Sequence, residues 1–288
     1  MSGSVFQWQA GGTAVAVGYD VRGEGVPVLL LPALSTASTR REMLPLTEAL
    51  GDGFRTVAVD WPGFGDGGQP RLDYTPDLLL RFLEAFVAVA FRDPPTVVAA
   101  GHAAGYALAL ARRRPGIWRK LALIAPTWRG PLPTVMGGYK PLQRYVRALV
   151  YAPLAGSLVY RLNVMTPVIR MMYRGHVYAD PRSLTDELLR EKRRIARRPG
   201  GRYGSASFVT GTLDPVRSRE EFLALAREAG VPVMVVTAPQ IPPRSRAEID
   251  ALAREAGVTL GHVPAGALGV HEEFPEQVAA CIRPFLQT

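Results

Sequence analysis

Short apolar runs alternate with longer helix-like stretches along most of this chain. The apolar runs are PVLLLPAL (27–34), FRTVAVD (54–60), TVVAAG (96–101), KLALIAP (120–126), VPVMVVT (231–237) and VTLGHV (258–263). The predicted helices cover 39–50, 76–91, 104–114, 218–229, 246–256 and 273–286. Apolar runs without a polar alternate face are typical of a parallel sheet that helices cover on both sides. The alternation therefore predicts an α/β fold.

The N-terminus carries two further strand-like segments, VFQWQ and TAVAVGYDV, which are separated by Gly11-Gly12. Two glycines between such segments favour a tight hairpin, because both turn residues of that hairpin need a positive φ. We expect a hairpin here.

The alternation lapses between residues 128 and 204. This segment is rich in Leu, Tyr, Met, Val and Arg and is broken by prolines, which predicts several inserted helices. It holds fifteen Arg and Lys against four Asp and Glu, whereas the rest of the chain holds nineteen against twenty-one. The positive net charge of the chain, +9, therefore comes from this one segment, and the remainder is close to neutral.

Composition narrows the class of protein further. The single cysteine, Cys281, allows no internal disulfide, and the first residues lack the pattern of a secretory signal. The chain has no run of about 18 apolar residues, so the sequence predicts no transmembrane helix. We expect a cytoplasmic protein without a metal site or a cofactor. Nucleic acid is not an expected partner, because no recognised binding module or aromatic stacking pattern is present.

The stretch TVVAAGHAAGYALALARRRP (96–115) predicts a strand, a sharp turn and a helix. Hydrolases place a nucleophilic serine in this setting, within the motif G-x-S-x-G. Here the motif is GHAAG (101–105), and its middle residue is Ala103. The methyl group of an alanine can neither attack a carbonyl nor donate a proton.

Three motifs together resemble the α/β-hydrolase superfamily: DWPGFG (60–65), GHAAG (101–105) and HEEFP (271–275). The resemblance covers nearly the whole chain. It implies the α/β-hydrolase fold, a mostly parallel, doubly wound sheet whose core spans 1–127 and 205–288. It also implies that 128–204 forms an inserted helical lid over a substrate pocket. A fold by itself says little about chemistry.

Hydrolysis by this fold needs a nucleophile, a histidine and a carboxylate. The resemblance places the nucleophile at Ala103, the carboxylate at Pro239 or Gln240, and the histidine at Leu268. A second position for the acid, in APTWRG (125–130), also holds no carboxylate. All three positions are altered, so an engineered change of one serine does not explain the pattern.

Other titratable groups are weaker candidates. His271 matches a second histidine of the family that is usually not catalytic, and it is the alternative base if its loop shifts. His102 is expected to pack beneath the turn. His262 lies in a predicted strand, and His176 lies in the predicted lid. Asp214 precedes a predicted helix, where a cap or turn role is expected.

The backbone of an oxyanion hole is expected to survive. The amides of Leu34 and Ala104 match the family's pair of donors. Such amides at a helix N-terminus can hold an anion or polarise a carbonyl without any side chain. Alternatively, the turn persists only because the fold needs it.

The segment after the third predicted strand carries three hydroxyl groups, on Ser35, Thr36 and Ser38. They either bind a ligand or form the turn and cap before the next helix. Asp60 is expected to tie down its own glycine loop.

The predicted lid interleaves apolar residues with arginines. Its surface arginines are Arg144, Arg147, Arg161, Arg170 and Arg174. One interpretation is that this surface faces an anionic membrane, where arginine stems bury and their charged ends meet phosphates. The other is that the apolar side lines the pocket while the arginines face water.

The sequence thus predicts a pseudo-hydrolase that binds a hydrophobic or acyl small molecule, or a protein partner, under or through its lid. A first alternative is a cofactor-free enzyme of esterase, lyase or isomerase type. It would use His271 or His102 as a base, with the amides of Leu34 and Ala104 as the oxyanion hole. A second alternative is a protein that docks on a membrane or on a complex.

Overall fold

An eight-stranded sheet forms the centre of the protein in the computed structural model, which describes residues 3–67 and 69–288. The strands are β1 (Ser4–Ala10), β2 (Thr13–Arg22), β3 (Gly25–Leu31), β4 (Gly53–Val59), β5 (Thr96–Ala100), β6 (Lys120–Ile124), β7 (Val233–Thr237) and β8 (Val258–His262). Their spatial order is β1-β2-β4-β3-β5-β6-β7-β8. The predicted strands are all present.

The sheet is antiparallel at one edge and parallel elsewhere. β1 pairs with β2, and β2 pairs with β4, in antiparallel register. Gly11 and Gly12 join β1 to β2 with φ of 56° and 88°, so the predicted hairpin is confirmed. All neighbours from β4 to β8 are parallel. This is the predicted α/β-hydrolase topology.

Helices cover the sheet and fill the insertion between β6 and β7. They are α1 (Leu44–Leu50), α2 (Pro76–Ala90), α3 (Ala103–Arg113), α4 (Pro131–Val135), α5 (Leu142–Tyr151), α6 (Leu154–Asn163), α7 (Thr166–Met172), α8 (Asp186–Ala196), α9 (Gly201–Val209), α10 (Arg219–Arg227), α11 (Pro243–Ala253), α12 (Val270–Glu273) and α13 (Pro275–Gln287). The sequence predicts that the insertion ends at residue 204, and this position falls inside α9.

Prolines explain where the observed helices differ from the predicted ones. The helix expected at 39–50 is a 3₁₀ turn at Arg40–Met43 followed by α1, since Pro45 can occupy only the first turn of an α-helix. α11 begins at Pro243, earlier than predicted, and α13 begins at Pro275. Proline favours the first helical position because its φ suits a helix and its missing N–H has no partner there.

Two hydrophobic clusters hold the protein together. The larger lies on both faces of the sheet, and β5 and β6 are buried throughout. The smaller lies within the insertion and is built from side chains such as Tyr160, Val164, Ile169 and Leu189. The insertion therefore has apolar packing of its own.

The parallel pairing places several loops at one edge of the sheet. β3, β5, β6 and β7 are consecutive neighbours that run in the same direction. Their carboxyl ends therefore lie side by side, and ligands of open α/β sheets bind at that edge. The loops that begin there carry Leu34, Gly101, Ala125 and Gln240.

Candidate functional site

The turn between β5 and α3 is the centre of the candidate site. β5 ends at Ala100, and α3 begins at Ala103, so only Gly101 and His102 connect them. Gly101 has a φ of 51°, in the left-handed region. The nucleophile of this fold sits on the strained residue of the strand-to-helix turn. The structure therefore places the strained turn residue at Gly101, two residues before the Ala103 that the motif predicted.

Ala103 lies in the first turn of α3 and is fully buried. The motif pointed to a different residue because the small residues at 99, 101, 103 and 105 match the spacing of G-x-S-x-G twice. One match is centred on residue 101 and the other on residue 103. Only the backbone dihedral distinguishes the registers. A Cβ atom at Gly101 would lie 3.3 Å from the Cβ of Ala33, so the turn packs tightly against the loop after β3.

The backbone donors also differ from the predicted pair. The amide of Ala104 donates to the carbonyl of Gly101 at 3.2 Å, so it is not free to bind a ligand. This corrects its predicted role in an oxyanion hole. The amides of His102 and Leu34 donate to no acceptor within residues 3–67 and 69–288. His102 follows the strained residue, as the donor of this fold does.

Most of the hydroxyl groups after β3 serve the local turn, whereas that of Thr36 contacts Ser205 in α9. Ser35 Oγ lies 2.8 Å from Ser38 Oγ and accepts from the Ala37 amide. Thr39 Oγ1 accepts from the Arg41 amide and caps the 3₁₀ turn. Thr36 Oγ1 lies 2.6 Å from Ser205 Oγ. For Ser35 and Ser38, these contacts support the predicted turn role, whereas Thr36 joins the loop to α9.

The expected acid position holds an amide side chain that closes a loop. Gln240 follows β7, and its Oε1 accepts from the Gly266 amide at 2.8 Å. The backbone N–H of Gln240 donates to the Gly266 carbonyl at 3.0 Å. Pro239, beside it, is exposed. Gln240 therefore links the loop after β7 to the loop that carries Leu268.

Leu268 lies in that second loop and packs against the sheet core. Its amide donates to the carbonyl of His176 in the insertion at 3.3 Å.

The other acid position follows β6 at Ala125, which has a φ of 44° and no carboxylate. Thr127, two residues later, donates its amide to the Gly101 carbonyl at 3.0 Å. No acid stands at either position.

His271 is buried and pairs with a carboxylate that the sequence did not indicate. Its Nε2 lies 3.4 Å from Glu42 Oε1, and both side chains are at most 4 % exposed. Glu42 Oε1 also accepts from the Ala33 amide at 2.6 Å. Burial alone would raise the pKa of Glu42, but His271 and the nearby Lys192 charge hold this pKa below its usual value.

The same region fastens the insertion to the core. Lys192 of α8 is buried, and its Nζ lies 2.7 Å and 3.0 Å from the two carboxylate oxygens of Glu272 in α12. Glu273 accepts from the amides of Ala179 and Asp180. These contacts make a polar clasp, defined here as Lys192, Glu272 and Glu273.

His102 and Asp214 form a second buried pair, beside the turn. His102 Nε2 lies 3.3 Å from Asp214 Oδ1 and 3.2 Å from the Leu213 carbonyl. Because both neighbours are acceptors, Nε2 carries the proton of the neutral ring, and Nδ1 keeps its lone pair. Nδ1 is buried without a partner among the described residues. Burial lowers the pKa of His102, although the Asp214 charge acts in the opposite direction.

The side chain of Asp214 does not cap the helix that follows, since Ser218 is the N-cap of α10, and only its backbone amide closes a turn, on the Gly211 carbonyl. Its carboxylate accepts from the Gly130 amide at 2.9 Å and from the Tyr139 hydroxyl at 2.6 Å. Burial raises its pKa, while His102 and the bond from Tyr139 act against this. The pairing with His102 was missed, since 111 residues separate His102 from the Leu213–Asp214 segment and no local pattern links them.

The predicted surface arginines behave in two ways. Arg144, Arg161 and Arg174 are exposed and make no ion pair within the described chain. Arg147 is tied inward instead: it pairs with Asp73, donates to Ser207 Oγ at 3.2 Å and stacks on Tyr151. Arg170 pairs with Asp186 at 2.7 Å.

The two cavities that stand out do not include the turn. One is an open groove of about 540 Å³ on α7, and the other holds about 80 Å³ beside Arg40. Leu34, His102, Ala103 and Ala104 are each at most 2 % exposed. Within residues 3–67 and 69–288, no three metal-ligating side chains converge, and no helix has the length and apolarity to cross a membrane.

A known protein family and several solved structures share this architecture. A sequence model described as the alpha/beta hydrolase family matches residues 28–281. The chain therefore belongs to the alpha/beta hydrolase family. No curated protein sequence matches it at a significant level.

Solved structures show the same fold at low sequence identity. Cfl2 from Burkholderia cenocepacia is 22% identical with a TM-score of 0.73, over 98% of this chain and 95% of that one. A thermophilic esterase from Thermogutta terrifontis is 19% identical with a TM-score of 0.77, over 100% and 98%. The enol-lactonase from Burkholderia xenovorans is 16% identical with a TM-score of 0.75, over 98% and 100%. These likenesses concern the fold alone.

Proposed function

We propose that this chain is a pseudo-hydrolase, a member of the family that does not hydrolyse substrates through a Ser-His-Asp triad. The observation that carries this proposal is the strained turn residue, Gly101, which has no side chain. Ala103, in the other register, has only a methyl group. Neither register of the motif therefore supplies a nucleophile.

The other two positions support the same proposal. Gln240 can accept a hydrogen bond as a carboxylate does, but its amide carries no charge to stabilise an imidazolium. Leu268 can neither accept nor donate a proton. The contacts of both residues hold loops together, a structural role that involves no catalysis.

The proposal is tested by hydrolysis of short- and medium-chain aryl esters and thioesters. We expect rates at the level of buffer alone. Turnover that co-purifies with the protein and disappears when the protein is denatured would contradict the proposal.

One observation favours a second function, a cofactor-free enzyme that uses His102 as its base. The His102–Asp214 pair leaves Nδ1 buried with its lone pair, and the backbone amides of His102 and Leu34 donate to no acceptor among the described residues. A base, an orienting carboxylate and amide donors are the parts that proton abstraction next to a carbonyl requires. His271 with Glu42 is the other such pair.

This second function is tested with His102→Gln, Asp214→Asn and His271→Gln on the same substrate panel and on carbonyl compounds with an acidic C–H. His262→Gln is the matched control, because His262 is exposed. Activity lost in both His102→Gln and Asp214→Asn but kept in the control would establish the second function in place of the first.

The geometry also bears on how a pseudo-hydrolase of this kind binds its partner. The two cavities described above are not lined by the turn, and many apolar side chains of the insertion are exposed rather than directed at a pocket. These exposed side chains support binding through the outer surface of the insertion.

A further inference from the structure

The outer surface of α5, α6 and α7 is unusually apolar. The described part of the chain exposes fifteen large apolar side chains, and eleven of them lie between residues 135 and 172. They are Val135, Leu142, Tyr145, Leu149, Leu154, Leu158, Val159, Leu162, Met165, Met171 and Met172. Exposed apolar patches of this kind mark interaction sites.

The exposed residues follow helical spacing. On α6, Leu154, Leu158 and Leu162 recur every fourth residue and are 88%, 62% and 55% exposed. On α5, Tyr145 and Leu149 have the same spacing and are 69% and 46% exposed. Residues four apart share one face of a helix. Each helix therefore turns an apolar stripe to the outside, while Val150 and Tyr160 pack inward.

The charge of this surface has one sign. Residues 129–179 contain seven Arg and Lys and no Asp or Glu. Arg144, Arg161 and Arg174 are exposed beside the apolar stripes without an ion pair among the described residues. The groove of about 540 Å³ on α7 places the Arg170 and Arg174 side chains next to Pro167 and Met171.

We infer that the outer surface of α5–α7 docks on an anionic lipid membrane. Apolar side chains enter the boundary between headgroups and acyl chains, and arginines meet the lipid phosphates. A second copy of this chain fits less well, because residues 129–179 carry seven Arg and Lys and no Asp or Glu, so like charges would face each other, and Asp186 of α8 already pairs with Arg170. This inference does not depend on whether the core is catalytic.

The test is flotation of the whole protein with vesicles of phosphatidylcholine, with and without phosphatidylglycerol as the anionic lipid. We expect binding to the anionic vesicles at about 0.1 M salt and strong loss at about 1 M, where the Debye length falls from roughly 10 Å to roughly 3 Å. Equal binding to both vesicle types, or no binding to either, would overturn the inference.

Two variants with matched controls locate the surface. Leu154→Glu with Leu158→Glu is expected to lower partitioning at least about tenfold, whereas Val89→Glu, on a side chain 72% exposed in α2, leaves it unchanged. Arg144→Glu with Arg161→Glu is expected to lower it roughly fivefold or more for each charge. Arg92→Glu, on another exposed arginine, is the control.

Light scattering in solution tests the alternative that a second copy of this chain covers the surface. A dimer that dissociates in Leu154→Glu, together with vesicle binding that this variant does not change, would show that the surface is an interface between copies and would refute the membrane. Circular dichroism of each variant confirms folding. Since the substituted side chains are exposed, we expect native spectra.

Discussion

At the scale of single residues, the backbone decides what the turn can do. Gly101 has a φ of 51°, which most residues with a Cβ adopt only at a cost. The motif predicted Ala103 at the centre of the elbow, whereas this dihedral angle places Gly101 there. A residue without a side chain at the strained position is the strongest reason to doubt covalent catalysis.

The strained turn makes a prediction about stability. Gly101→Ala is expected to lower the free energy of unfolding by about 1–2 kcal/mol from backbone strain, with a further loss from the contact 3.3 Å away at Ala33. Gly11→Ala has a similar φ of 56° but open space around it, so it isolates the backbone contribution. Chemical denaturation measures both. A neutral Gly101→Ala would mean that the turn is not left-handed at this residue.

His102 makes a prediction about pH. Burial lowers its pKa in the folded protein, so below the unfolded value of about 6.5 the unfolded chain binds the extra proton more readily. The contribution of His102 to stability is therefore present above about pH 6.5 and is lost as the pH falls below it. The slope is at most about 1.4 kcal/mol per pH unit for one proton.

Urea denaturation of the protein and of His102→Gln between pH 8 and pH 5 checks this expectation. The variant should show a smaller loss of stability on acidification. Identical slopes for the two proteins would mean that the pKa of His102 is the same in the folded and unfolded states.

At the scale of elements, a buried arginine joins the N-terminal strands to the glycine loop. Arg40 Nη1 lies 2.7 Å from Asp60 Oδ2, and its Nε lies 2.9 Å from Asp20 Oδ2. Asp60 also accepts from the Asp66 amide at 2.9 Å, so its predicted role in tying down the loop is confirmed. The sequence did not indicate Arg40 as its partner.

Removal of this arginine is expected to be costly. Arg40→Met leaves the buried Asp60 carboxylate without its counter-charge, and we expect a loss of about 3–5 kcal/mol in the free energy of unfolding. Arg41→Met is the matched control: its side chain is 48% exposed, so its ion pairs are worth about 1 kcal/mol or less. Equal effects of the two substitutions would refute the structural role of Arg40.

At the scale of the whole molecule, the polar clasp couples the insertion to the core. Lys192 is buried against Glu272, and burial alone would lower its pKa, but Tyr173, Glu272 and Glu42 raise it well above its usual value. The lysine therefore stays charged and holds α8 against α12. The apolar surface of α5–α7 then faces outward from a fastened insertion.

Loss of the clasp is expected to loosen the insertion. Lys192→Met leaves Glu272 without its partner and should destabilise the protein by about 3–5 kcal/mol, with faster hydrogen exchange in α7 and α8 than in the sheet. Arg190→Met, on an exposed arginine of the same helix, should change neither. Uniform acceleration of exchange across the sheet would mean that the insertion and the core unfold as one unit.

The sequence alone predicted the mostly parallel sheet, the succession of strands and helices along its core, and the family, because unbroken apolar runs and turn glycines are local signals. It also predicted that no acid follows β7 and that a leucine stands at the expected histidine position. Only the tertiary structure decided which residue of the elbow is strained and that the Ala104 amide is occupied.

The pairs His102–Asp214, His271–Glu42 and Lys192–Glu272 likewise needed the fold. Their members lie on different elements, and residues far apart in sequence meet only after the sheet has assembled. The direction of the apolar stripes on α5 and α6 was undecided for the same reason. A helical repeat shows that a face is apolar, whereas the packing around the helix determines whether that face is covered.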